Sequence, residues 1–301
     1  MSSTLVETAV FTSSVEVPSD GDEADAASVN GAFQVLADRS QWLLALHNGT
    51  LRGGYLTVGT NQVVVSPVRA LVVGGVYGSN AVQTTLTLPS LSSGTWYYVY
   101  AYPDGSGGVS FEVSTTAPDN SGTTGDGGAM WKSGGTARRY LGSFRTYIDG
   151  ASVVRPYPML QCGGGRYLYR RSEVSEALVP AVHTLTAPVS LVQQDTVSLA
   201  GFVPPHARVA LVDLRVQLAA STPSIDLKTY EGGNAFSAAG KKVGFVTARP
   251  SGDTSTLSSD LELEIELDSS REFGLSGIVS TGTDSDVAVF VNGFIERDTR
   301  G

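Results

Sequence analysis

Leu261-Glu262-Leu263-Glu264-Ile265-Glu266-Leu267 alternates apolar and acidic residues without a break. A β-strand sends successive side chains to opposite faces, so this stretch has one oily face and one charged face. The reading is an antiparallel strand with the leucines and the isoleucine in a core and Glu262, Glu264 and Glu266 in water. A second run repeats the logic. Ala210, Val212, Leu214, Val216 and Leu218 share one face, with Asp213, Arg215 and Gln217 opposite.

Further strands are expected around these two, near 195–199, 225–230, 242–247, 272–279 and 286–296. Seven short strands with turn residues between them predict a sandwich or jelly-roll domain over 189–301. Upstream, strands are expected at 55–58, 62–65, 70–76, 84–88, 95–102, 108–114, 141–148 and 167–169. They make a first β domain over 51–171. Within it, 115–135 is rich in Gly, Ser, Thr, Asp and Asn and reads as a long exposed loop. Ala129, Met130 and Trp131 interrupt that loop and would clip it to a surface. Residues 172–188, which include Pro180 and Pro188, read as a linker or crossover.

The first 50 residues differ in pattern. Residues 1–20 read as an extended arm. Asp20, Asp22 and Glu23 then offer the acidic chemistry of a helix start, and Asn48-Gly49 offers a stop. Between them Val29, Ala32, Phe33, Leu36, Leu43 and Leu44 recur at helical spacing, which predicts a helix over 23–46. The expected fold class is therefore mainly β: an N-terminal α-helix followed by two antiparallel β-sandwich or jelly-roll-like domains. Val29, Ala32, Leu36, Leu43 and Leu46 approximate a bundle seam and form the candidate oligomer contact. The same stripe is able to pack on its own β domain instead.

Composition agrees with a β-rich chain. Of 301 residues, 41% are hydrophobic and only 16% charged, while glycine reaches 35. Soluble domains carry roughly 25% charged residues. The net charge is −9, four of the 20 basic residues are lysines, and the arginines are scattered. Nothing resembles a phosphate-binding stripe, so nucleic acid is not an expected partner. The single cysteine, Cys162, excludes an intrachain disulfide and a thiolate metal cluster. The opening MSSTLVETAV has neither a basic segment nor a long apolar core, and no run of 18 apolar residues occurs. Neither a signal peptide nor membrane insertion is expected, and synthesis in a cytoplasm is.

Few residues in the sequence point to chemistry. His47, His183 and His206 are far apart and lack metal-ligand spacing. Gly274-Leu275-Ser276-Gly277 is one residue short of a nucleophile elbow. Cys162 before Gly163-Gly164-Gly165 reads as a small residue at a turn. Glutamates at alternate strand positions sit about 7 Å apart, too far for one cation to take two easily. No catalytic residue, metal or cofactor is expected, and the chain reads as a non-enzyme. An acid pair assembled from distant strands is the remaining enzymatic alternative. The aromatic row is more informative. Trp96, Tyr98, Tyr100 and Tyr102 fall on one face of a strand, with Tyr97 on the other. Such a row suits a core or subunit contact, or else a carbohydrate platform.

Several runs resemble one known group. Gly21-Asp22, Ala26-Ala27-Ser28-Val29-Asn30 and Phe33-Gln34-Val35-Leu36-Ala37-Asp38-Arg39 look like the N-terminal helix of tailed-bacteriophage tail-fibre and baseplate-type virion proteins. Thr95-Trp96-Tyr97-Tyr98-Val99-Tyr100, Phe111-Glu112-Val113-Ser114-Thr115-Thr116-Ala117-Pro118 and Arg138-Arg139-Tyr140-Leu141-Gly142-Ser143-Phe144-Arg145 are similar to motifs of the same group. The resemblance covers about residues 18–170. It implies a structural component of a phage virion, a tail-fibre, baseplate or connector protein that assembles as a homotrimer beside other tail or capsid proteins. The alternative is a carbohydrate-binding host-attachment protein that meets a host surface glycan, or a glycan-degrading enzyme. No catalytic residue comes with the resemblance.

Overall fold

The computed structural model describes residues 34, 36, 49–119, 129–170, 181–186, 193–218, 224–231, 243–248, 257–267, 269–279 and 286–296. Short strands open the chain: β1 (Leu51–Gly53), β2 (Leu56–Val58), β3 (Val63–Val65), β4 (Val68–Val73), β5 (Val76–Asn80) and β6 (Thr84–Thr85). Then come β7 (Trp96–Pro103), β8 (Val109–Ser114), β9 (Pro118–Asp119), β10 (Trp131–Lys132), β11 (Arg139–Ile148), β12 (Val154–Pro156), β13 (Met159–Gln161) and β14 (Arg166–Tyr169). The second half holds β15 (Ala181–Thr186), β16 (Gln193–Ser198), β17 (Ala207–Leu218), β18 (Ser224–Glu231), β19 (Val243–Ala248), β20 (Leu257–Glu266), β21 (Glu272–Val279) and β22 (Asp286–Glu296).

The mainly β, antiparallel character holds: every pairing among the described strands is antiparallel. The two deciding runs meet. β17 pairs with β20 from Val209↔Glu266 to Leu218↔Leu257. Ala210, Val212, Leu214 and Ile265 are buried, while Glu262, Glu264 and Glu266 are exposed. Each fully buried Val, Leu or Phe side chain is worth about 1.5–3 kcal/mol, so the apolar face decides the register.

The expected fold class needs correction on two counts. No α-helix occurs among the described elements, which are strands and one 3-10 turn, Gly163–Gly165. Of the span 23–46 only Gln34 and Leu36 are described; they have helical backbone, and Leu36 is 53% exposed. Val29, Ala32, Leu43 and Leu46 lie outside the described residues. A periodic apolar stripe states which face a helix would bury, and nothing more.

The second correction concerns the two separate sandwiches. A nine-stranded sheet runs β20-β17-β22-β14-β13-β2-β3-β6, with β15 beside β22. It joins strands from both halves of the chain, and β15 lies in the span expected as a linker. One apolar core likewise extends from Leu51 and Val63 through Phe144 and Tyr167 to Phe273 and Phe294. Alternation defines the faces of a strand but leaves its neighbour open, which is why the seam between halves was invisible. At that seam Tyr167 pairs with Phe294 and Leu168 with Gly293. A Cβ on Gly293 would stand 1.9 Å from the Tyr167 carbonyl oxygen, so glycine lets the strands close.

The other sheets are β8-β7-β11-β10-β9 with β12 on β11, β1-β4-β5, and β16-β21-β18-β19. The expected loop 115–135 contributes β9 and β10, and Trp131 is fully buried. Beside it Arg139 is also fully buried. Its Nε donates to the Gly49 carbonyl at 2.8 Å and a guanidinium nitrogen donates to the Met130 carbonyl at 3.0 Å. These bonds satisfy a charge that burial would otherwise penalise by several kcal/mol.

Candidate functional site

The aromatic row turns inward. β7 lies between β8 and β11, and both its faces are covered. Tyr97 stacks on Phe144 with ring centroids 5.5 Å apart and joins the main core with Val99 and Ala101. On the other face Tyr98 (3% exposed) and Tyr100 (0%) pack with Met130 and Tyr140, with Trp96 against them. Trp96 also meets Phe294 edge-on at 5.6 Å. Tyr102, half-buried, lies under the Arg138 guanidinium, 3.6 Å from its ring centre. The row is thus a packing layer and not an open sugar platform.

A loop from the second half caps this layer. Pro204-Pro205-His206 leads into β17, and the His206 ring lies 5.6 Å from Tyr98 and 5.2 Å from Tyr140. Beneath it Glu296, only 4% exposed, closes a polar knot. Tyr140 Oη donates to the carboxylate at 2.8 Å, and Ser143 Oγ donates at 2.8 Å. His206 Nε2 stands 2.9 Å from the same carboxylate, where it must donate because a carboxylate only accepts. Burial alone would push the Glu296 carboxyl up. The His206 charge and the hydrogen bonds from His206, Ser143 and Tyr140 outweigh it and hold the group below the usual glutamate value. Burial, with Glu296 second, pushes the Tyr98 phenol up to about 12 and the Tyr140 phenol well above its usual value, so both stay neutral. Three donors occupy the carboxylate, and little of it reaches solvent. The knot is a tie between the halves.

In the sequence His206 stands out only for lacking metal-ligand spacing, and Glu296 and Ser143 do not stand out at all. A signal was present. Glu296 stands two positions after Phe294, on the buried face of β22, and an acid at such a position needs partners.

The surface offers a different arrangement at β1 and β4. A cavity of about 670 Å³ is lined by Arg52, Gly53, Tyr55, Ser66, Pro67, Arg69 and Ala70. Its shape comes from a β-bulge. Leu51 pairs with Leu71 and Arg52 with Ala70, but Gly53 pairs with Val68, which leaves Arg69 as the extra residue. Val68 and Leu71 are fully buried on either side, while Arg69 and Arg52 are exposed. The bulge turns Arg69 outward to the face that Arg52 already occupies. Three further contacts fix it. Tyr77 Oη donates to the Arg69 carbonyl at 3.1 Å. Tyr55 N donates to Ser66 Oγ, and Ser66 N donates to the Tyr55 carbonyl, each at 2.9 Å. Gly53 has φ +78°, and a Cβ there would meet the Pro67 carbonyl oxygen at 2.3 Å. Among the described residues neither Arg52 nor Arg69 forms an ion pair. In the sequence these arginines are two of a scattered set; only strand pairing brings them together.

The glutamate row behaves as a solvated face. Glu264 pairs with Arg166 at 3.0 Å, both exposed, a contact worth about 0–1 kcal/mol. Among the described residues no group of three or more His, Cys, Asp or Glu gathers to hold a metal ion. No helix among them is long and apolar enough to cross a membrane.

No protein-family model matches the chain, and none of the curated proteins matches it. Among solved structures, the Major Tropism Determinant P3c variant is 16% identical at a TM-score of 0.28, covering 42% of this chain and 38% of its own. A Bacillus thuringiensis Cry1Da tryptic core variant is 9% identical at 0.20, over 86% of this chain and 54% of its own. Infectious Bursal Virus derived T=1 particles are 10% identical at 0.23, over 83% and 67%. The chain therefore spans well under two thirds of the first two. It has a distant, low-identity structural resemblance to viral and toxin proteins, and nothing about activity follows from it.

Proposed function

We propose that this chain is a non-catalytic host-attachment component of a tailed-phage particle, a rigid β scaffold that holds a carbohydrate-binding surface. The open cavity bounded by Arg52, Tyr55, Ser66 and Arg69 carries the reading. Its volume falls within the roughly 300–1,000 Å³ of ligand sites, and its walls are held by hydrogen bonds before any ligand arrives. The phage setting rests on the motif runs. Two of them, 95–100 and 138–145, fall on the paired strands β7 and β11. In the particle the chain acts as a homotrimer and contacts other tail or capsid structural proteins, after synthesis in the host cytoplasm.

The test is retention of the purified chain on an array of bacterial surface glycans, with release of reducing ends followed in the same wells. The expected result is binding without release. Failure to retain any glycan contradicts the attachment reading, and release of sugar contradicts the non-catalytic part.

A further inference from the structure

The cavity has the chemistry of an anion site on a chain of opposite character. The whole chain carries a net charge of −9, so a polyanion gains nothing from its average field. Yet Arg52 and Arg69 line one cavity, exposed and without an acid among the described residues. Two like charges brought to one rim repel, and strand pairing alone would keep Arg69 off that face. The β4 bulge puts it there, at the cost of one unpaired ladder position. The Tyr77 hydrogen bond to the Arg69 carbonyl then holds the bulge residue in place. The guanidinium fork matches a carboxylate or a phosphate through two parallel hydrogen bonds, and a pair of forks matches two such groups or one group and a sugar hydroxyl. Tyr55 and Pro67 supply apolar surface of the kind that a pyranose ring packs on.

From these observations we infer that the cavity binds an acidic polysaccharide, its sugar-borne anions clamped between Arg52 and Arg69. This deepens the carbohydrate-attachment reading and rests on it. The site reads charge at the arginines and ring shape at Tyr55 and Pro67. A neutral glycan has only the second of these. An uncarbohydrate-like polyanion has only the first.

The experiment is calorimetric titration of the full chain with hexagalacturonate, maltohexaose and a single-stranded oligothymidylate. Arg52→Gln, Arg69→Gln and the double variant are titrated alongside, with unfolding midpoints measured for each. Both arginines are exposed, so the variants are expected to fold as the parent does. Hexagalacturonate is expected to bind most tightly. Each single change should weaken it about tenfold, the loss of one charge-assisted contact, and the double change about a hundredfold. Equal binding of maltohexaose and hexagalacturonate, unaltered in the double variant, overturns the acidic-ligand inference and leaves carbohydrate attachment standing. Equal or tighter binding of the oligothymidylate overturns the sugar assignment. No binding of any of the three overturns both.

Discussion

Tyr140 and Glu296 stand 156 residues apart in the chain and meet at 2.8 Å in a buried site. Their bond, with those from Ser143 and His206, ties β11 to β22 across the two halves. Replacing Glu296 with alanine leaves three buried groups without their shared acceptor. The expected loss is about 3–5 kcal/mol of unfolding free energy in denaturant titration. A loss below about 1 kcal/mol would mean that the knot is not a tie.

The same carboxylate sets an acid limit on stability. Glu296 in the fold lies below its usual value of 4.5, which the unfolded chain keeps. As pH falls the unfolded state takes up this proton first. The stabilisation is therefore full above the unfolded value and is lost as pH falls through the folded one. Denaturant midpoints from about pH 6 down to about pH 3 should drop more steeply for the parent than for Glu296→Gln. Parallel curves for the two proteins would show that other carboxylates govern the acid limb.

Gly293 offers a test of the shared sheet. Gly293→Ala would force a methyl against the Tyr167 carbonyl oxygen and part β14 from β22. Its expected cost is about 3 kcal/mol, at the upper end of overpacking penalties. Gly150→Ala is the control, since a Cβ there meets nothing within 4 Å. Its change should stay within about 1 kcal/mol. Equal effects at the two positions would contradict the close strand approach.

Self-association is read by sedimentation equilibrium. The homotrimer proposal expects three times the chain mass of 31.4 kDa at micromolar concentration. A single-chain mass would contradict it for the isolated protein.

The strands were legible because burial imposes a period of two on residues such as Leu263, Ile265 and Val212. The architecture was less so. Nothing in Tyr167 or Phe294 announces that they pair, and the nine-stranded sheet depends on that contact. The aromatic row at Trp96–Tyr102 was legible as a row, but its cover, the His206 loop, comes from a hundred residues away in order of magnitude. The cavity was invisible for another reason. Arg69 reaches the rim only because a bulge shifts the register by one, and a shift of one exchanges the faces of a strand. The acid at Glu296 was readable in principle, from its position two residues beyond a buried Phe294.

Filling the cavity tests the attachment reading most directly. Ala70 lines it, is half-buried and stands opposite Arg52. Ala70→Trp should occupy the space while leaving Arg52 and Arg69 in the chain. The measurement is glycan retention of this variant against the parent, with the unfolding midpoint as control. At least a tenfold loss of affinity, about 1.4 kcal/mol, is expected at an unchanged midpoint. Undiminished retention by a folded Ala70→Trp chain would place any bound sugar elsewhere and contradict the account.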